Sequence, residues 1–212
     1  MFNQKRVFII HGWGGSPDEG WFLWLAKNLR EKGFLVEVPA MPDADDPKIE
    51  AWVTYLEKIV GRCDENTIFV GHSIGCQTIM RYLENLPENE KSDGAVFVAG
   101  WFTLTGLEEE EERMTSSPWV NLPIDLKKVK TRAKKFICIF SDDDPFVPAE
   151  NWEIFSKKLG AEIIVEKNKG HFTGDDGSAE LPAALEAVLK IAGPVFTKVS
   201  ASKNKKKSDS AE

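Results

Sequence analysis

Three groups of residues in this 212-residue chain could together activate an oxygen nucleophile. They are a serine between glycines, a run of carboxylates ahead of a proline, and a histidine in a late glycine-containing turn. In Gly71-His72-Ser73-Ile74-Gly75 the serine follows the β-branched and aromatic run 67–70 and precedes residues that suit a helix. Ser73 is therefore expected on a sharp strand-to-helix turn, with glycines where strand and helix approach too closely for side chains. A serine hydroxyl is a weak nucleophile until a base takes its proton, and that base must be oriented by a third group. The stretch 141–148 offers Asp142, Asp143 and Asp144 at the end of a strand. Asp144 is favoured as the orienting acid because Pro145 holds it in extended backbone and fixes the turn that aims it. Asp142 and Asp143 read as parts of an Asx-rich turn. Of the three histidines, His72 is expected to project away from Ser73 and His11 to pack or hydrogen-bond beneath a glycine loop. His171 remains as the base.

These residues need elements that bring them together. Val7 to Ile10 is an unalternating apolar run, as in a strand buried on both faces. Further strands are expected at 34–38, 67–71, 95–99, 136–140 and 162–166. Helices are expected at 19–32, 49–60, 76–86, 152–159 and 179–191, several ended by glycine. Strands alternating with helices across short loops imply a parallel sheet covered on both faces, a three-layer α/β fold of about six mostly parallel strands. In such a sheet the loops after the strands gather on one edge, which puts Gly12 and Trp13, Ser73, Asp144 and His171 on one rim. The stretch 101–135 is expected as one long irregular, cap-like insert. Ser73, then Asp144, then His171 is also the order in which α/β-hydrolases carry their triad. Backbone N–H groups of Trp13 and Ile74 would then form an oxyanion hole. The glycines at 12, 14 and 15 lack the Lys and Ser/Thr of a phosphate-cradling Walker loop and the spacing of a dinucleotide fingerprint. Trp21, Trp101 and Phe102 lie in or beside the rim loops and are candidates for the substrate pocket.

The bulk composition narrows the partners. A net charge of −7 argues against nucleic acid, and the three cysteines signal neither a disulfide framework nor a zinc site. No EF-hand loop and no His-Glu helix pair occurs, so no metal and no cofactor is expected. The cysteine usage fits a reduced, cytoplasmic setting. No apolar run approaches the roughly 20 residues of a membrane span. The chain is expected to form a single domain over 1–195, with a disordered Lys- and Ser-rich tail over 196–212. The expected partner is a small-molecule acyl substrate, with ester, thioester and amide left open and no protein partner specified.

His11-Gly12-x-Gly14-Gly15, Trp21 and Trp24, Gly71-His72-Ser73-x-Gly75, Met80-Arg81-Tyr82, Asp143-Asp144-Pro145-Phe146-x-Pro148 and Gly170-His171-Phe172 together resemble the small serine hydrolases typified by retinoblastoma-binding protein nine. The likeness runs over about 5–192. It implies a compact α/β-hydrolase with a six-stranded sheet and little cap, a Ser73, Asp144, His171 triad, and carboxylesterase-like activity. The glutamate run Glu108 to Glu112 and the Lys-rich tail depart from that pattern. The run is expected to form a solvated helix face. A different class of function stays open alongside: a protein-interaction scaffold that keeps the hydrolase fold with little or no turnover.

Overall fold

Val7, Phe8, Ile9 and Ile10 are buried in β1 (Arg6–Ile10), and β3 (Thr67–His72) and β4 (Ser92–Val98) are buried along their whole length. Strands covered on both faces require that unalternating apolar character. The computed structural model describes residues 4–194, so the tail expected over 196–212 lies outside the described residues. With β2 (Leu35–Glu37), β5 (Ala133–Ser141) and β6 (Glu162–Glu166) these strands form one parallel six-stranded sheet in the order β2-β1-β3-β4-β5-β6.

The step from β1 to β2 runs opposite to every later step. Right-handed crossovers therefore put α1 (Phe22–Glu31) on one face of the sheet, where it packs with α7 (Pro182–Ala192). The other face is covered by α2 (Ile49–Val60), α3 (Ile74–Asn85) and α5 (Leu126–Arg132), with α6 (Glu150–Ile154) and the π-type turn that continues it over Phe155–Leu159. In register, Ile10 lies beside Gly71, His72 beside Val98, Val98 beside Ile139 and Ser141 beside Glu166. The loops that follow all leave from one edge.

The glycines around Ser73 are explained by that packing. A methyl carbon added at Gly75 would stand 2.5 Å from the Ile10 carbonyl oxygen, and one at Gly71 would stand 2.8 Å from the Cys76 nitrogen. Helix α3 thus rests directly on the ends of β1 and β3. Ser73 takes the turn with φ 50° and ψ −119°. Such a backbone in a residue with a Cβ costs on the order of 1–3 kcal/mol, which the surrounding packing must supply.

The stretch 101–135 is not irregular, contrary to expectation. It holds α4 (Glu110–Asn121) and α5, and β5 begins at Ala133 rather than 136. The glutamates start α4: Glu109 and Glu112 form a reciprocal capping box, and acidic residues in the first turn suit the helix dipole. Only Ser116 and Trp119 of α4 are buried, and Pro118 lies inside it, so no apolar stripe announces this helix in the sequence. Its C-terminal end is fastened. Trp119 Nε1–H donates to the Pro47 carbonyl at 2.9 Å, and the buried Arg81 of α3 donates to the carbonyls of Trp119 and Leu122 at 3.0 and 2.8 Å. Among the described residues no helix is long and apolar enough to cross a membrane, and no three His, Cys, Asp or Glu side chains group as a metal site.

Candidate active site

Four loops of the rim bring together the residues that the sequence singled out. Ser73 Oγ lies 2.9 Å from His171 Nε2, and His171 Nδ1 lies 2.9 and 3.1 Å from the two carboxylate oxygens of Asp144. The carboxylate can only accept, so Nδ1 carries the proton and Nε2 presents its lone pair to the serine hydroxyl. Asp144 is held from a second side, because its Oδ1 also accepts from the N–H groups of Phe146 and Val147 at 2.9 and 3.1 Å. Its side chain is 2% exposed. A ring edge from Phe146 covers the imidazole, with centroids 5.3 Å apart.

The loop that carries His171 is tied down amide by amide. The N–H of Asn168 donates to Asp142 Oδ1, that of Lys169 to Ser141 Oγ, that of Gly170 to Asp143 Oδ1 and that of His171 to Asp176 Oδ2, all at 2.9–3.0 Å. Asp142 and Asp143 therefore do more than shape an Asx turn: they clamp the neighbouring loop. The Ser141 hydroxyl first, and the Gly170 N–H after it, hold the Asp143 carboxyl below the usual carboxylate range; at Asp176 burial pushes the other way but is outweighed by the Thr173 hydroxyl and N–H together with the His171 N–H. Asp176 was not singled out in the sequence. The local signal for it is Thr173 three residues ahead, whose N–H and hydroxyl both donate to it.

His72 does not face Ser73 as a base. Its Nε2–H donates to the backbone carbonyl of His171 at 2.7 Å, and its ring meets Trp21 edge-on and lies 5.1 Å from the His171 ring. Burial first, and the neighbouring His171 second, push its pKa down to about 3. His11 is also lowered by burial. It accepts the Met41 N–H on Nε2 at 3.0 Å and donates from Nδ1 to the Gly12 carbonyl at 2.8 Å. His72 stays neutral in the folded chain, and His11 takes up its proton less readily there, while the unfolded chain takes up protons below the ordinary value of 6.5. Stability is therefore full above pH 6.5 and falls as the pH drops, at up to about 1.4 kcal/mol per pH unit for each such ring. Urea unfolding at pH 7.5, 6 and 5 is expected to show this decline, and His72→Gln to flatten it. Identical slopes in the two proteins would contradict the burial argument.

The N–H of Ile74, the first residue of α3, points from the helix start beside Ser73. Among the described residues neither that N–H nor the N–H of Trp13 meets an internal acceptor, whereas Gly14 donates to Ala44 O and Gly15 to Gly12 O. A cavity of about 350 Å³ opens over Ser73 and His171. Trp13, Phe22, Trp101, Leu104, Leu107 and Phe146 supply its apolar walls. Glu19 and Glu112 also line it, and among the described residues no Lys or Arg does.

Two of the three aromatic pocket candidates lie elsewhere. Trp21 is fully buried under the loop that carries His171, its Nε1–H donating to the Phe172 carbonyl at 3.1 Å. Phe102 turns onto Phe155 of the π-type turn, centroids 4.7 Å apart. Trp101 does line the cavity, and its indole N–H reaches Ser73 Oγ at 3.3 Å.

Parallel sheet, crossover pattern and this rim define an α/β-hydrolase fold. Residues 7–190 match the family of serine hydrolases, and the chain belongs to that family. It is 31% identical over 185 residues to the protein YdeN of Bacillus subtilis strain 168, covering 87% of this chain and 94% of YdeN. It is 30% identical over 175 residues to the serine hydrolase RBBP9 of Rattus norvegicus, covering 81% and 89%. The crystal structure of the ydeN gene product superposes with a TM-score of 0.81 at 29% identity, over 89% of this chain and 98% of that one. Est1E from Butyrivibrio proteoclasticus, solved with ferulic acid bound, shares the fold at 17% identity with a TM-score of 0.66, over 88% and 87% of the two chains.

Proposed function

We propose that the protein hydrolyses small carboxylic esters, or closely related acyl bonds, through an acyl-enzyme on Ser73. The observation that carries this is the continuous hydrogen-bonded chain from Ser73 Oγ through both nitrogens of His171 to Asp144, with Oγ to Nε2 at 2.9 Å. His171 takes the hydroxyl proton as Oγ bonds to the acyl carbon, and the carbonyl electron pair moves onto oxygen. The N–H groups of Trp13 and Ile74 stabilise that oxyanion. On collapse the leaving alcohol takes the proton from His171, and water then repeats the sequence to free the acid. Asp144 orients the imidazole and stabilises its cationic form.

Labelling with a fluorophosphonate probe, followed by peptide mapping, tests the nucleophile. Modification confined to Ser73 supports it, and an unmodified Ser73 rules it out. A scaffold without turnover would show no ester cleavage by the unlabelled protein, even where the probe modifies Ser73.

The walls of the cavity suggest the substrate class. A volume of about 350 Å³ is at the small end for ligand pockets and fits a short acyl or aryl group. Glu112 is a fixed carboxylate, since its Oε2 accepts the N–H groups of Glu108 and Glu109 at 3.0 and 3.1 Å. With Glu19 it makes the pocket unfavourable for anions. The kcat/KM for p-nitrophenyl butyrate is expected to exceed that for the p-nitrophenyl monoester of succinate by about 10-fold or more, from charges several ångströms apart in a partly enclosed site. Glu112→Gln, which keeps an acceptor oxygen for the cap, should narrow the ratio. Equal rates on the two esters in the unmodified protein would remove the charge argument.

A further inference from the structure

The oxygen of Ser73 has two hydrogen-bonding neighbours, and they settle its orientation. His171 Nε2 stands 2.9 Å away and the Trp101 indole nitrogen 3.3 Å away. An indole N–H can only donate, so Oγ must accept from Trp101. The serine's own hydrogen is then directed to Nε2, whose lone pair is open because Nδ1–H is held by Asp144. Of the four tetrahedral directions around Oγ, one holds Cβ, one the hydrogen aimed at His171, and one the lone pair engaged by Trp101. One lone pair is left to meet an acyl carbon.

Trp101 is not free to swing out of this arrangement. It is 2% exposed. Its carbonyl accepts from Gln77 Nε2, on α3, at 2.7 Å. The next two residues are fastened to α6: the N–H groups of Phe102 and Thr103 donate to Asn151 Oδ1 at 2.7 and 3.2 Å, and Asn151 Nδ2 donates to the Thr103 carbonyl at 3.1 Å. The segment after β4 is thus pinned from the helices on either side of it. This is a donor held in place before reaction, as electrostatic stabilisation of a transition state requires.

We propose that Trp101 is a catalytic residue, acting through its indole N–H on the nucleophile oxygen; the proposal rests on the assignment of Ser73 as nucleophile. As the hydroxyl proton moves to His171, negative charge gathers on Oγ, and the bond from the indole strengthens. A donor whose bond is stronger in the transition state than in the resting site accelerates the step. The same N–H assists when the acyl-enzyme breaks down. There the bond from the acyl carbon to Oγ breaks, its electron pair passes to Oγ, and His171 returns the proton.

The decisive variant removes the hydrogen-bond donor and keeps the shape. In the full chain, Trp101 is replaced site-specifically by benzothienylalanine, in which sulfur stands where the indole has N–H, and Trp101→Phe is made alongside. The fluorophosphonate labelling rate and the kcat for p-nitrophenyl butyrate are each expected to fall roughly 10- to 100-fold in both variants, the effect of one hydrogen bond to a charged oxygen. KM should stay within about 2-fold. Labelling and kcat at the unmodified rate in the benzothienyl variant would overturn the proposal even if Trp101→Phe were slow, because that loss would then come from packing. A change confined to KM would overturn it too. If the unmodified protein is not labelled at Ser73, the nucleophile assignment falls and the role of Trp101 with it, whereas a labelled protein with an indifferent benzothienyl variant refutes Trp101 alone.

Discussion

Ser73→Ala is expected to lower turnover of p-nitrophenyl butyrate by at least about 10⁴-fold, with the protein still folded. The alanine keeps the backbone and Cβ of the turn and loses only the oxygen that lies between His171 and Trp101. Loss of a nucleophile that works as one unit with its base abolishes nearly all of the covalent route, leaving what the amides of the site contribute. Steady-state rates on purified protein measure this, and a loss of less than about 10-fold would exclude Ser73 as nucleophile. The same position permits a second check on the strain in the turn. Ser73 sits at φ 50° in a conformation that glycine adopts freely. Ser73→Gly is expected to be more stable towards urea than Ser73→Ala by on the order of 1 kcal/mol. The opposite order would mean that the turn is not strained.

Asp144→Asn should lower kcat by about 10³- to 10⁴-fold. The asparagine carbonyl can still accept the N–H groups of Phe146 and Val147, so the turn at Pro145 persists. Facing His171, however, an amide group offers a hydrogen where the carboxylate offered a lone pair. The imidazole then favours the tautomer with the proton on Nε2, which cannot take one from Ser73. Asp142→Asn and Asp143→Asn act differently. Each keeps an oxygen that can accept from Asn168 or Gly170, and losses below about 10-fold are expected. Comparable losses at all three positions would show that the orienting acid has been misassigned.

Most of what positions the site could be read from local pattern. Buried parallel strands announce themselves as unalternating runs such as Val7 to Ile10, and alternation with helices then fixes which loops share an edge. The glycines at 71 and 75 are visible because close approach leaves no alternative residue, and Asp144 because a proline follows it. What escaped was built from long-range hydrogen bonds and from helices without an apolar face. Helix α4 is held by a capping box and by Trp119 and Arg81 rather than by a stripe, so its sequence looks solvated throughout. The clamp on 168–170 joins the end of β5 to a loop some 26–28 residues later, a pairing with no periodic signature. Trp21 and Phe102 were placed on the rim by their position in the chain. Side-chain direction, which that position does not fix, sends both inward.

The attachment of α4 bears on how such a chain can change its diet. The segment from Leu104 to Asn121 gives the cavity Leu104, Leu107, Glu112 and Ser116, yet adds no strand to the sheet. It is held to the body at both ends, by the Thr105 N–H donating to the Phe146 carbonyl at 2.9 Å and by Trp119 and Arg81. Ser73, His171 and Asp144 and the amides that serve them lie outside it. A foreign helix that keeps the bond at Thr105, a tryptophan and two carbonyls for Arg81 is therefore expected to remodel the entrance while Ser73, His171 and Asp144 keep their places. Between those two anchors, length and charge are expected to vary with little disturbance to the side chains beneath.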